Sequence, residues 1–401
     1  MLPFLKKYLR LNNRQFGYRS DTSCLSAISI VKEIINKYNS EGSVVYGAIV
    51  DLSKAFGKVN KNILFRKLYD CGLHPKIIEI IRSMYEETYV HTSFNKVKGD
   101  SWKVKNGVRQ GAILSPLLFS FYMNEILDSL CELPIGCAID GYKTNVFCFA
   151  DDIILLAPTS QALQKLLDIV HEKLTALCLT INTKSKYIVF RSNKCNHRNV
   201  TAPPVNINGV DLEQVSTCKY LGVLLSDNGN IGMDIDRAIS SFLKQFNGMY
   251  SKFHFADKKV LFFLFKIYTS SLYGIETWIE KIYDYQLNKI SVVYHKAEQR
   301  MCGINTWESN YEACDKAGVL IFEQLLAKRM LCFWHRLWRS PSPCLANLKY
   351  YFKYKSCLFE RISSHSSSKY DVDISENPLC ALLARIKYIQ SHEERSYYVI
   401  E

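Results

Sequence analysis

Val146-Phe147-Cys148-Phe149-Ala150-Asp151-Asp152-Ile153-Ile154-Leu155-Leu156-Ala157 is the stretch on which the reading of this chain turns. Two runs of strand composition flank a pair of aspartates, and the spacing predicts a tight hairpin with both carboxylates at its tip. Adjacent carboxylates raise one another's pKa, and apolar strands beside them strip away water. A bound cation relieves both costs. An Asp-Asp pair standing alone is more often a turn that faces solvent, so its surroundings decide between the two readings.

Working outward, Val44–Val50 is a β-branched apolar run that ends at Asp51, the pattern of a buried strand delivering a carboxylate at its carboxyl end. If that strand neighbours the hairpin, Asp51, Asp151 and Asp152 converge. Three such oxygen donors suit Mg²⁺, which completes its shell with water and substrate phosphates. Two ions about 3.5–4 Å apart activate an attacking hydroxyl and stabilise a leaving pyrophosphate, which is nucleotidyl-transfer chemistry. Around these strands, Asn60 is placed to cap a helix carrying Ile63, Leu64 and Leu68, and Pro75 to open another. Further helices are predicted over Pro116–Leu130, Leu163–Leu177, Ile235–Tyr250 and Lys258–Leu272. Tyr187–Phe190 reads as a short strand and Val215–Leu225 as a hairpin arm.

The 401 residues allow two or three domains at roughly 150 residues each. With 48% hydrophobic and 22% charged residues, wholesale disorder is excluded. The net charge of +13 favours a polyanionic partner, nucleic acid first. This charge forms no tail. Residues 46–157, which hold all three aspartates, carry 13 basic against 12 acidic side chains, while the segments on either side are basic. The 14 cysteines include no Cys-x-x-Cys pair, so reduced thiols are expected, and Cys195-x-His197 reads as a polar loop. The longest apolar runs, Val146–Ala157 and Val260–Phe265, fall short of the ~20 residues a membrane span needs, so no membrane partner is expected.

Four blocks, in order, resemble the reverse transcriptases of non-long-terminal-repeat (LINE-class) retrotransposons. They are Gln15-Phe16-Gly17-Tyr18-Arg19, Val50-Asp51-Leu52-Ser53-Lys54-Ala55-Phe56, Gly107-Val108-Arg109-Gln110-Gly111 with Leu114-Ser115-Pro116, and Phe149-Ala150-Asp151-Asp152. The similarity runs over residues 10–225 and includes Tyr220-Leu221-Gly222, which looks like the family's primer-grip hairpin. It implies an α+β right-hand polymerase fold: partial fingers (1–45), a palm with an antiparallel sheet (46–225), a helical thumb-like region (226–340) and a helical carboxyl-terminal appendage (341–401).

Roles follow from the resemblance position by position. Asp51, Asp151 and Asp152 are the expected catalytic ligands of two Mg²⁺ ions. Phe56 matches the aromatic that excludes a ribose 2′-hydroxyl, and Gln110 and Gly111 border the incoming dNTP. Lys184, in a block with Asn182, is expected near the triphosphate, and Arg19 near template or another phosphate. The implied activity is RNA-directed DNA polymerisation, with an RNA template, a DNA primer and dNTPs as partners and the nucleus as the expected location. Plain readings stand beside these roles: Phe56 as core, Gln110 as a helix-capping residue, Lys184 as a solvated strand-end charge. Three departures are visible. Gly57 replaces the usual aspartate, Ala112 a glycine and Thr183 a proline. With only about 45 residues before the first acidic strand, the chain also looks shortened at its amino end. These departures favour an alternative, a weakened or noncatalytic nucleic-acid-binding remnant.

Overall fold

In a computed structural model, the residues described are 1–19, 22–191, 203–269, 272–278, 282–303, 320, 322–340 and 342–346. Cys195 and His197 lie outside them, as does nearly all of the expected appendage at 341–401. The chain divides into two compact units, one holding residues 1–221 with two short later segments, the other formed chiefly by residues from 230 onward.

The first unit is built on a five-stranded sheet. Its strands are β1 (Val45–Val50), β6 (Val146–Phe149), β7 (Asp152–Ala157), β8 (Lys186–Phe190) and β11 (Glu213–Gln214). Their order is β11-β8-β1-β7-β6, which puts β1 at the centre. β1 pairs antiparallel with both β7 and β8, β6 with β7 likewise, and β11 joins β8 in parallel. Helices α6 (Ser115–Glu132) and α7 (Ser160–Ala176) share one core with Ala48, Val50, Cys148, Ile153 and Leu155. Helix α2 (Cys24–Ser40) lies against β1 and β6. The side chains between them in register, Phe147, Ile154 and Leu156, are also fully buried. Burial on both faces explains why these strands read as continuous apolar runs with no polar alternation.

The remaining elements of this unit are α1 (Leu2–Tyr8), α3 (Ala55–Lys58), α4 (Lys61–Asp70), α5 (Pro75–Glu86), and two hairpins, β2 (Tyr89–Phe94) with β3 (Val97–Lys103) and β4 (Ala138–Ile139) with β5 (Tyr142–Lys143). A third pairs β9 (Asn206–Ile207) with β10 (Val210–Asp211). The Asn60 side chain caps α4 by accepting from the amides of Asn62 and Ile63, and Pro75 opens α5. The boundary between units falls within a hairpin of β12 (Thr217–Tyr220) and β13 (Val223–Ser226).

The second unit is helical: α8 (Gly232–Phe253), α9 (Lys258–Tyr268), α10 (Asp284–Cys302) and α11 (Phe322–Arg339). Phe242, Phe246, Phe265, Trp278 and Tyr294 form its core. Buried Asp234 accepts hydrogen bonds from the Leu224 amide, Arg237 Nε and Trp278 Nε1, so its charge is compensated by three donors. The α+β class expected from the sequence is present. Helix α9 stops at Tyr268 rather than reaching Leu272. No helix among the described residues is long and apolar enough to cross a membrane.

Candidate active site

The hairpin turns one residue earlier than the aspartate pair suggests. Phe149 pairs with Asp152, so the two-residue turn is Ala150-Asp151, and Asp152 begins β7. Ala150 has φ +58°, a left-handed conformation that costs a non-glycine residue about 1 kcal/mol or more.

The β1–β7 register brings the third carboxylate to the same end of the sheet. Val50 lies opposite Ile153 at the end of the pairing, so Asp51, the residue after β1, and Asp152, the first residue of β7, stand at the same edge of the sheet. Backbone contacts hold Asp51 from a second direction. Its amide donates to Ser185 Oγ at 3.1 Å, and its carbonyl accepts from the Asn182 amide at 2.8 Å. Ser185 is itself buried.

The three aspartates are half-buried and act on one another. Burial first, then the charges of Asp151 and Asp51, push the Asp152 carboxyl up to about 6. Asp151 is raised as well, by burial and then by Asp51, with a backbone hydrogen bond opposing them. Hard oxygen donors whose ionised forms repel one another are a fitting donor set for a divalent cation. Among the described residues no group of three or more His, Cys, Asp or Glu is placed so as to hold a metal ion by itself in this conformation. Water and phosphate oxygens would complete the shell, as is usual for Mg²⁺.

Phe56 sits in α3, five residues after Asp51. Its ring stacks on Phe119, with centroids 4.4 Å apart, and Tyr18 meets its edge at 6.5 Å. It is only partly buried and packs against the core of the first unit. The glycine-punctuated loop packs against the same helix: the Gly107 amide donates to Val59 O and the Val108 amide to Phe56 O. A Cβ at Gly107, where φ is +95°, would lie 2.8 Å from the carbonyl oxygen of Gly57. Gln110 and Gly111 are exposed in the stretch leading to α6, and Gly111 has φ +84°. Lys184 is exposed in the turn that grips Asp51, with its amide bonded to Asn182 Oδ1.

Arg19 and the hairpin at 220–222 sit differently. Arg19 Nη1 donates to Asn12 O at 2.8 Å and Nη2 to Asn13 Oδ1 at 3.4 Å, so its guanidinium holds the preceding loop. Burial lowers its pKa. Tyr220 is buried, and burial together with Cys148 and Asp152 pushes its hydroxyl well above its ordinary value. Leu221 and Gly222, both at positive φ, form the turn that follows.

Three residues here carry no role in the sequence reading. Gln15 and Ser185 contact the backbone of the aspartate segments, and Tyr18, raised by burial and by Asp151, borders both Phe56 and the acidic cluster. For Gln15 and Tyr18 the signal was present in the Gln15–Arg19 block. For Ser185 it lay in the block of Asn182 and Lys184, whose last position Ser185 fills.

Residues 1–225 match the family model described as reverse transcriptase (RNA-dependent DNA polymerase). The chain belongs to this family. Within it, the chain is 29% identical over 241 residues to the Pol polyprotein of retrotransposable element R2DM of Drosophila melanogaster, covering 57% of this chain and 22% of that protein. It is 23% identical over 303 residues to the RNA-directed DNA polymerase of the mobile element jockey of the same fly, covering 72% of this chain and 32% of the relative. The chain thus spans about a fifth to a third of the length of these curated relatives. Among solved structures, apo telomerase of Candida tropicalis aligns at a TM-score of 0.45 and 13% identity, over 95% of this chain and 59% of that one. Reverse transcriptases generally use divalent metal ions.

Proposed function

We propose that this chain is an RNA-directed DNA polymerase of a non-long-terminal-repeat retrotransposon, which extends a DNA primer with dNTPs on an RNA template. The observation that carries the reading is the meeting of Asp51, Asp151 and Asp152 at one end of the central sheet, where burial and neighbouring charge raise the carboxyls of Asp151 and Asp152. In this reading the sheet is the palm, and Asp51, Asp151 and Asp152 hold two Mg²⁺ ions. When bound, these ions supply charge neutralisation for the triphosphate and the leaving pyrophosphate.

The chain's own residues do the rest. Phe56, pinned by its stack on Phe119, bars a ribose 2′-hydroxyl by bulk. Gln110 and Gly111 border the incoming nucleotide, where an exposed glycine at positive φ lets backbone approach substrate closely. Lys184 offers a mobile positive charge to the triphosphate from the turn that grips Asp51. Tyr220, Leu221 and Gly222 set the hairpin beside the primer end, and Arg19 shapes the loop nearest the template.

The test is primer extension on an RNA template by the whole chain, with Asp151→Asn as control. Mg²⁺-dependent dNTP incorporation lost in Asp151→Asn supports the reading. Incorporation that survives the substitution overturns the assigned site. Salt-sensitive duplex binding with no incorporation by the unaltered chain replaces the reading with a noncatalytic nucleic-acid binder.

A further inference from the structure

The turn that presents Asp151 has no residue suited to its shape. Two-residue hairpin turns with a positive φ favour Gly, Asn or Asp at that position, because a Cβ crowds the following carbonyl. Here the position belongs to Ala150, at φ +58°. A residue held in such a conformation persists where its surroundings over-determine it.

Gln15 supplies a tertiary contact that does this. Its side chain is fully buried, and its Oε1 accepts from the Ala150 amide at 2.9 Å and from the Gly17 amide at 2.9 Å, while Nε2 donates to Ala150 O at 3.4 Å. Both backbone polar groups of the strained residue thus end on one primary amide. Flanking backbone bonds align the two segments: Phe16 N to Cys148 O at 2.7 Å, and Cys148 N to Arg14 O at 2.9 Å. Gly17 closes the contact, since a Cβ there would stand 2.5 Å from Ala150 N.

We infer that Gln15 is a positioning residue, whose amide clamps the Ala150-Asp151 turn in its left-handed form and so sets the Asp151 carboxylate beside Asp51. The inference rests on the polymerase reading for its functional consequence, but the clamp itself is a property of the protein alone. In the polymerase reading Asp151 is the group that meets the ion, and Gln15 acts through it. Glutamine suits the task because it both accepts and donates, is uncharged beside carboxylates, and is long enough to reach across from the neighbouring segment.

The experiment uses the whole chain carrying Gln15→Met, which keeps the buried volume and removes the hydrogen bonds. Its first readout is amide hydrogen exchange in metal-free protein. Protection of the Ala150 and Gly17 amides falls by about tenfold or more, while β1 and β7 amides keep theirs. The second readout is primer extension: the Mg²⁺ concentration for half-maximal rate rises about 10-fold or more, the scale seen when a group orienting a metal ligand is lost, with duplex affinity unchanged. Adding Ala150→Gly to Gln15→Met restores much of the Mg²⁺ response, because glycine adopts the left-handed turn without a clamp.

Unchanged exchange at Ala150, unchanged Mg²⁺ dependence, or loss of protection throughout the sheet would each overturn the inference, the last by showing that Gln15 serves folding at large. An unaltered chain that incorporates no dNTP removes the polymerase reading, and the exchange arm still decides whether the clamp exists.

Discussion

Asp152 should make the metal-free protein less stable at neutral pH than an amide in its place. Its carboxyl is raised from 3.8 to about 6, and each pKa unit corresponds to about 1.4 kcal/mol of preference for the neutral form. The full shift would amount to roughly 3 kcal/mol, and screening by the water that still reaches this half-buried group reduces it to about 1–2 kcal/mol. The sign follows from proton counting. Below pH ~4 the carboxyl is protonated in both folded and unfolded chains and carries no penalty; between pH ~4 and ~6 the folded state binds more protons, so stability falls as pH rises; above ~6 the penalty is complete. Asp152→Asn therefore stabilises the sheet by about 1–2 kcal/mol at pH 7.5 in chelator, and by almost nothing near pH 4. Exchange of the β1 and β7 amides reads this directly: at pH 7.5 the variant should exchange about 5–30-fold more slowly than the unaltered chain, with the two converging in acid. Adding Mg²⁺ should then slow exchange in the unaltered chain more than in the variant, because the unaltered chain has a third carboxylate whose repulsion the ion relieves. A variant no better protected at pH 7.5, or equally better protected at pH 4, would show that burial and the neighbouring carboxylates do not burden Asp152.

Two further outcomes test the surroundings of the cluster. Gly107→Ala sets a methyl against the backbone of Gly57 at a residue with φ +95°, and should destabilise the first unit by about 1–3 kcal/mol, whereas Gly57→Asp, whose Cβ meets nothing within 4 Å, should change stability by no more than about 0.5 kcal/mol; equal effects in urea titrations would contradict the packing of this loop on α3. Phe56→Ala loses the stack on Phe119 and should cost about 1–2 kcal/mol, less than for a fully buried ring. It should also raise ribonucleotide incorporation relative to deoxynucleotide, measured as the ratio of kcat/KM values, and an unchanged ratio would leave Phe56 a packing residue alone.

The central strands were readable because burial on both faces removes polar residues, so Val45–Val50 and Ile153–Ala157 stand out as unbroken apolar runs. Helices α4 and α5 announced themselves through Asn60 and Pro75, whose side chains act within their own first turn. The hairpin of β2 and β3 did not, since every residue in it is exposed and binary patterning reports only burial. Helix α2 escaped for another reason. Its cap at Ser23 and its buried Ile28, Val31, Ile34 and Ile35 follow helical spacing, a legible pattern that lay outside the segments singled out by acidic residues.

The candidate site divides along the same physical line. Which carboxylates meet was written locally, because each ends or begins an apolar strand and the register then joins them. How the Asp151 turn is shaped was not. Local rules put the turn at the aspartate pair, where turn-forming side chains lie, yet Ala150 takes the left-handed position and Asp152 enters the sheet. The difference arises 135 residues away in sequence, at Gln15, and the same holds for Ser185, which holds Asp51 across 134 residues. A side chain that satisfies a distant backbone group leaves no periodicity; both residues stand in recognisable blocks, but a block does not say which distant backbone group its side chain holds. The elements that hold this site in shape are therefore the ones that sequence patterning is least able to see, and substitutions at Gln15 and Ser185 probe the geometry of the cluster without altering a single carboxylate.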